Sequence, residues 1–230
     1  MDAGPNNGAF YADFLTSLDA TTRAALHGCA RSQCYRAGAV LLYEGQMEAP
    51  VVILLEGRVR VTALASDGRE LVLAFRGPGS ILGELAALED GKCSATVAAI
   101  DDVRALSLAP GQFREFLREW PGAAIALLRL LAHRLRDSDR KRVEFAALDT
   151  TSRVAARIVE LADRFGQAQS DGSITVALTL SQEALASWVG GSREATVRAL
   201  TQLRTLGLVE TGRRRIHVRD IQGLRRRSTL

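Results

Sequence analysis

Cysteine is scarce, with only Cys29, Cys34 and Cys93 in 230 residues, and an odd, sparse set of this kind excludes a secreted disulfide framework. Long apolar runs are missing as well. The longest, Ala123–Leu128, has six residues, far short of the roughly 20 that a membrane-crossing helix needs. The opening MDAGPNNGAFYADF lacks a basic stretch followed by an apolar one, so no secretory leader is expected and a reducing cytoplasm is the expected location. Aromatics make up 5%, yet apolar residues reach 47% and charged residues 24%, a globular balance that excludes disorder, collagen and coiled-coil fibre. No Ser-His-Asp order, paired carboxylate site, Walker glycine loop or zinc spacing is present, so catalysis has no support.

The excess of base over acid is small, +4, but it is unevenly placed. From Thr150 onward thirteen Arg face seven acids, a balance of +6, which leaves −2 for the first 149 residues. A basic C-terminal block joined to a slightly acidic one points to a nucleic-acid reader attached to something else.

Up to about residue 118 the chain reads as short strands cut by glycine. In VVILLEGRVRVTAL, Val51 to Leu64, Gly57 marks a turn, and Asp67-Gly68 marks a second hairpin before ELVLAF, because both residues tolerate the positive φ that tight hairpin turns require. Gly38, Gly45, Gly57, Gly68, Gly79 and Gly83 recur at the spacing of an antiparallel barrel or roll. After Pro121 the pattern changes. Leu128, Leu131, Leu135, Ser138, Arg142 and Phe145 are spaced by threes and fours, a stripe that predicts one long helix packed on a second copy of itself or on its own β-domain. Leu148–Ser152 then interrupts it as a hinge. Asp149 caps a new helix running to about Phe165 with Val154, Ile158, Leu161 and Phe165 inward.

Leu180 to Val209 carries the most information. Leu185, Ala186 and Val189 form one inward face, Leu200 and Leu203 another, with a Gly190-Gly191 turn between, which is helix-turn-helix spacing. On the second helix Arg193, Glu194, Val197 and Arg198 share the opposite face. Arg bonds guanine O6 and N7 bidentately and Glu accepts from cytosine N4, whereas Ser181, Gln182 and Ser192 suit phosphates. Val209 to Val218 is a hairpin tipped by Gly212 and followed by Arg213, Arg214 and Arg215, a wing suited to lie along phosphates. Arg225, Arg226 and Arg227 either touch the backbone or hang free, and Trp188 is expected in the core. The competing reading makes the wing a protein contact on a nucleotide-sensing module.

These motifs, with GPGSILGELAALEDGKCSATV from Gly77 to Val97, resemble the cyclic-AMP receptor protein and fumarate-nitrate regulator family of bacterial transcription factors over nearly the whole chain. The resemblance implies an α+β fold: an antiparallel β-roll of cyclic-nucleotide-binding type over residues 1–119, a dimerisation helix over 120–148 and a winged helix-turn-helix over 149–230. It implies a homodimer on a palindromic double-stranded DNA operator, with RNA polymerase as a further partner. It also implies an effector pocket in which Gly83, Glu84 and Leu85 form the phosphate-binding cassette and Ser94 donates to the phosphate. Cys93 stands where cyclic-AMP binders carry arginine, and Ser138 and Asp139 stand where the family places Thr and Ser to reach the adenine. Lys92 could replace the missing cation, or lower the Cys93 thiol pKa for redox use. Asp139 could accept from a ligand or pair with Arg140 or Arg142 of the partner. The pocket thus holds an altered cyclic nucleotide, with cyclic AMP doubtful, or another effector, or nothing. Three cysteines are too few for an iron–sulfur cluster, and His27, His133 and His217 lie far from Cys93, so neither cluster, haem nor other metal is expected.

Overall fold

A computed structural model describes residues 13–177, 181–212 and 215–229. They divide into two compact units at Leu135/Arg136, inside the long helix.

The N-terminal unit begins with helix α1 (Ala20–Cys29), whose cap Asp19 accepts from the Thr22 amide at 2.8 Å. Strands β1 (Arg31–Tyr35), β2 (Val40–Leu42), β3 (Val51–Glu56), β4 (Val59–Leu64), β5 (Glu70–Arg76) and β6 (Ile81–Leu82) follow. Helix α2 (Glu84–Glu89), strands β7 (Thr96–Ala99) and β8 (Val103–Leu108), helix α3 (Pro110–Glu119) and the first half of α4 (Pro121–Ala147) complete the unit. The strands form two four-stranded antiparallel sheets, β1-β8-β3-β6 and β2-β7-β4-β5. The unbroken apolar run of β3 follows from its place. Val51 and Ile53 join one core cluster with Phe113, Phe116 and Leu127, while Val52 and Leu54 point the other way into a second cluster with Val59, Val97 and Ala105. Both faces of that strand are therefore covered, and alternation disappears.

The six flagged glycines all have positive φ, between +78° and +87°. The Asp67-Gly68 turn closes the β4–β5 hairpin as expected, with Leu64 opposite Glu70. Gly57 differs: β3 and β4 lie in separate sheets, so its turn crosses between layers instead of closing a hairpin. A Cβ at Gly57 would sit 2.3 Å from the Asp102 carbonyl oxygen, which leaves room only for glycine.

Helix α4 has 27 residues. Ala123, Ala126, Leu127 and Leu130 pack on the core of the N-terminal unit, and half-buried Leu131 joins them. The expected stripe is thus corrected at one position, since Leu131 lies on the inner side. Leu128 and Leu135 are 61% and 64% exposed, and Ile125, which the stripe omitted, is 48% exposed. Ser138, Arg142 and Phe145 are also exposed.

In the C-terminal unit Asp149 caps α5 (Thr150–Phe165), accepting from the Ser152 amide at 2.7 Å. Val154, Ile158 and Leu161 are fully buried and Phe165 half-buried. Strands β9 (Gly166–Ala168) and β10 (Ile174–Val176) lead to helices α6 (Gln182–Val189) and α7 (Arg193–Thr205). Strands β11 (Val209–Gly212) and β12 (Arg215–Val218) and helix α8 (Ile221–Arg227) end the chain. The expected Val209–Val218 hairpin is therefore present, and it is extended into a four-stranded sheet, β11-β12-β10-β9.

Candidate nucleic-acid interface and effector cassette

Helices α6 and α7 are positioned by their buried sides. Ala184, Leu185, Ala186, Trp188 and Val189 are buried on one, and Thr196, Ala199, Leu200 and Leu203 on the other. Gly190 between them has φ +64°, and a Cβ there would lie 2.4 Å from the Phe145 ring. Each helix starts in the same way. The Ser181 hydroxyl oxygen accepts from the Ala184 amide at 3.0 Å, and that of Ser192 from the Ala195 amide at 3.1 Å. Glu183 and Glu194, two residues on, are each held below the ordinary glutamate range first by their own backbone amide and also by the hydroxyl of the preceding cap serine. Both hydroxyls are thus engaged locally at the positions expected to meet phosphates.

Arg193, Glu194 and Arg198 are exposed, as the spacing predicts. Val197 is a correction: it is half-buried and lines, with Leu185, Leu200, Arg204, Thr211 and Ile216, a cavity of about 200 Å³. Gln182 and Arg215 are exposed, while Arg213 and Arg214 lie outside the described residues. The three C-terminal arginines are not hanging free. Arg225 pairs with Asp163 at 2.8 Å, Arg226 with Asp220 at 3.6 Å and Arg227 with Asp149 at 4.0 Å.

Sequence reasoning missed a buried charge network beneath this surface. Arg157, 4% exposed, pairs with Glu144 at the end of α4 and, at 2.9 Å, with Glu160. Lys141 lies 3.3 Å from Glu160 and 3.0 Å from Asp137, and Arg140 lies 3.3 Å from Glu144. Trp188 is in the core as expected, with Lys141 and Arg157 at 5.8 Å and 5.6 Å from its ring centroid, where the ring face attracts cations. Arg153 donates to the carbonyls of Leu148 at 2.7 Å and Val189 at 2.9 Å and lies over the Phe145 ring. The Leu148–Ser152 segment, expected as a hinge, is therefore braced on both sides.

In the N-terminal unit Gly83 precedes α2 at φ +78°, with a Cβ position 2.6 Å from the Pro50 carbonyl oxygen. Glu84 is 3% exposed and held by Arg134, whose Nη1 lies 2.6 Å from its carboxylate while Nη2 donates to the Ile81 carbonyl at 2.8 Å. Arg134 is the second group that sequence reasoning passed over. Leu85, Lys92 and Ser94 are exposed. Cys93 is buried, and burial first, then the Glu84 carboxylate, pushes its thiol up. That corrects the redox expectation, because thiolate chemistry needs the opposite shift. Ser138 and Asp139 fall in the C-terminal unit, where Asp139 lies 3.9 Å from Arg142 of its own helix. Among the described residues no group of three His, Cys, Asp or Glu is placed to hold a metal ion, and no helix is long and apolar enough to cross a membrane.

A β-roll followed by a long helix and a winged helix-turn-helix defines a DNA-binding transcription regulator with a cyclic-nucleotide-binding-type domain. A model described as cyclic nucleotide-binding domain matches residues 32–119, and a Crp-like helix-turn-helix domain matches residues 152–227. The chain is 32% identical over 191 residues to the CRP-like cAMP-activated global transcriptional regulator of Mycobacterium tuberculosis (strain CDC 1551 / Oshkosh), covering 83% of this chain and 85% of that one. It is 30% identical to the cyclic AMP receptor protein of Thermus thermophilus, with 81% and 82% covered. The solved structure of FixK2 from Bradyrhizobium japonicum superposes with a TM-score of 0.75 at 26% identity, covering 87% of this chain and 98% of the other. The chain belongs to the CRP/FNR family of transcription regulators, which are DNA-binding regulators and not enzymes.

Proposed function

We propose that the chain acts as a homodimer, joined through α4, that reads a palindromic operator with one α7 in each half-site. The observation that carries this reading is the division of α7: Thr196, Ala199, Leu200 and Leu203 anchor it, while Arg193, Glu194 and Arg198 stand in solvent with base-reading chemistry. The exposed Ile125, Leu128 and Leu135 on a helix otherwise packed against its own unit supply a seam for the second copy. Two-fold symmetry then places the half-sites one helical turn, roughly 34 Å, apart. Gln182 and Arg213–Arg215 hold phosphates in this reading, RNA polymerase is the further partner, and the cytoplasm is the location.

The relatives named above are cAMP-activated or cyclic AMP receptors by name, but this pocket departs from a cyclic-AMP pattern. Glu84 and the Gly83 turn fit the sugar side of a nucleotide. The phosphate side lacks the guanidinium that Cys93 displaces, and a charge-assisted bond of that kind is worth roughly 1.5–3 kcal/mol, or one to two decades in affinity. Arg134 is already committed to Glu84, and Lys92 beside Cys93 is exposed. The effector is accordingly an altered cyclic nucleotide whose phosphate is gripped weakly.

A gel-shift series tests the operator reading. A duplex selected from a random library and a scrambled duplex are each titrated at two salt concentrations. Tighter binding to the selected palindrome with a salt slope common to both is expected; equal binding to both ends the specific-regulator reading. Titrating the selected complex with cyclic AMP, cyclic GMP and cyclic di-GMP tests the pocket, and no response to any of them overturns the effector assignment.

A further inference from the structure

The first helix of the reading motif carries a group that the base-reading face did not include. Glu183 is on α6, one helix away from Arg193, yet its Oε1 lies 2.9 Å from the Arg193 Nε. Both side chains are about three-fifths exposed, at 61% for Arg193 and 63% for Glu183, so the pair sits on the outer surface. Glu183 is itself anchored, because its carboxylate takes its own backbone amide and the Ser181 hydroxyl, and those bonds with the Arg193 charge hold it ionised. The contact with Arg193 is on the Nε edge of the guanidinium. The Arg193 charge also acts on Glu194, the next residue along α7, and no hydrogen bond from the terminal Nη1/Nη2 fork is seen among the described residues. That fork is the part of an arginine able to approach guanine O6 and N7 end-on. Arg198, five residues along the same face, is in no ion pair among the described residues, though its charge also acts on Glu194.

We infer that Glu183 is a positioning residue for base recognition: it buttresses Arg193 from the neighbouring helix at Nε so that the terminal guanidinium fork is presented to a guanine edge. This rests on the reading of Arg193 as a base contact. An arginine left unbraced has several low-energy rotamers and abundant phosphate oxygens within reach, and phosphate contacts carry no sequence information. A carboxylate beside it does two things. It reduces the rotamer freedom lost on forming the base contact, and its negative charge repels phosphate from the same place. Glu183 therefore trades general DNA affinity for discrimination at one base pair.

A double-mutant cycle tests this on the full-length dimer. The variants are Glu183→Gln, Arg193→Gln and the pair together, with binding measured to a library-selected operator, to its single-base-pair variants through both half-sites, and to scrambled duplex. Arg193→Gln is expected to flatten preference at one symmetric base pair. Glu183→Gln is expected to lower preference at that same base pair about three- to fivefold, the range of an exposed ion pair, while binding scrambled duplex at least as tightly as the parent. In the Arg193→Gln background Glu183→Gln should change nothing at that position. Glu183→Asp, which keeps the charge, should retain more than half of the lost preference. A uniform effect of Glu183→Gln on all duplexes, or the same effect with and without Arg193, overturns the inference and leaves base reading by Arg193 intact. If Arg193→Gln itself shows no base-selective loss, the reading of Arg193 falls, and the inference with it.

Discussion

Replacing Arg157 with methionine removes the cation on which two buried carboxylates converge. Arg157 is 4% exposed, Glu160 3% and Glu144 9%, so neither acid can turn to water without opening the packing of α5 against the end of α4. Some compensation survives: Lys141 stays 3.3 Å from Glu160, and Arg140 stays 3.3 Å from Glu144. Breaking one partner of a buried pair costs about 3–5 kcal/mol, and the residual cations place this case at the lower end, about 3 kcal/mol. For a unit of this size that corresponds to a fall of roughly 10–20 °C in melting temperature. The triple variant Glu144→Gln/Arg157→Met/Glu160→Gln removes the charges together, leaves Lys141 with Asp137 at 3.0 Å, and should lie within about 1 kcal/mol of the parent, since neutral replacement of a whole buried cluster is often tolerated. Scanning calorimetry of the three proteins decides the matter. A single variant as stable as the parent refutes the energetic role of the network, and a triple variant as damaged as the single one shows that lost packing, not stranded charge, was being measured.

Acid should weaken the same unit. Burial pushes the Asp137 carboxyl up, but Lys141 and Arg140 overcome it and hold it at about 2, and Glu160 is likewise lowered by Lys141 and Arg157 against its burial. Groups lowered in the folded state contribute stability above their ordinary values, 3.8 and 4.5, and lose it as pH falls through the folded ones. The melting temperature should stay flat from pH 7 to about 5 and fall between about 4.5 and 2; a decline beginning above pH 6 would contradict this assignment. In the proposed dimer, Leu128→Asp with Leu135→Asp should leave only monomer at micromolar concentration, because burying each leucine is worth roughly 1.5–3 kcal/mol and a carboxylate there has no partner; sedimentation of the double variant as a dimer would refute the α4 seam. With a disulfide reagent at pH 8, Cys29 and Cys34, both exposed, should react at least about tenfold faster than buried Cys93, the difference coming from access because burial pushes the Cys29 thiol up as well; equal rates would contradict that placement. Cys93→Arg should tighten cyclic AMP binding by about 10- to 100-fold in calorimetry, and no gain would mean that the cassette does not seat a phosphate beside position 93.

Local chemistry was legible in the sequence wherever one residue type answers one geometric demand. Asp67-Gly68 announced a hairpin because its turn needs positive φ, and Asp149 announced a helix start because a side-chain oxygen there satisfies an amide that the helix cannot, whereas the same capping role of Ser181 and Ser192 was hidden behind their reading as phosphate contacts. The outward α7 face followed from helical spacing alone for Arg193, Glu194 and Arg198, though not for half-buried Val197. What escaped depended on partners distant in sequence. Whether β3 and β4 share a sheet is decided by β8 and β7, not by the Gly57 turn between them. Arg134 reaches Glu84 across 50 residues, and nothing in a charged helix marks which arginine turns inward. Strands β9 and β10 have three residues each, too short for alternation to register. Leu131 misled because leucines at threes and fours recur on both sides of a helix that has one face on its own core and another left open.

The interruption at Leu148–Ser152 looks like the natural place for the chain to flex, since small polar residues end one helix and cap the next. Its surroundings argue otherwise. Arg153 satisfies carbonyls at the end of α4 and at the end of α6 together, Asp149 closes the first turn of α5, and Arg157 and Lys141 tie α4 to α5 from within. Bending confined to this segment would break at least two charge-assisted bonds to carbonyls, each worth roughly 1.5–3 kcal/mol, and would expose a buried ion cluster. These contacts therefore tie Arg136–Ala147 to α5 and α6 within the C-terminal unit. Substitutions of Thr150 or Thr151 alone should accordingly leave operator binding close to that of the parent, and a loss of more than about tenfold in a gel-shift would contradict this bracing.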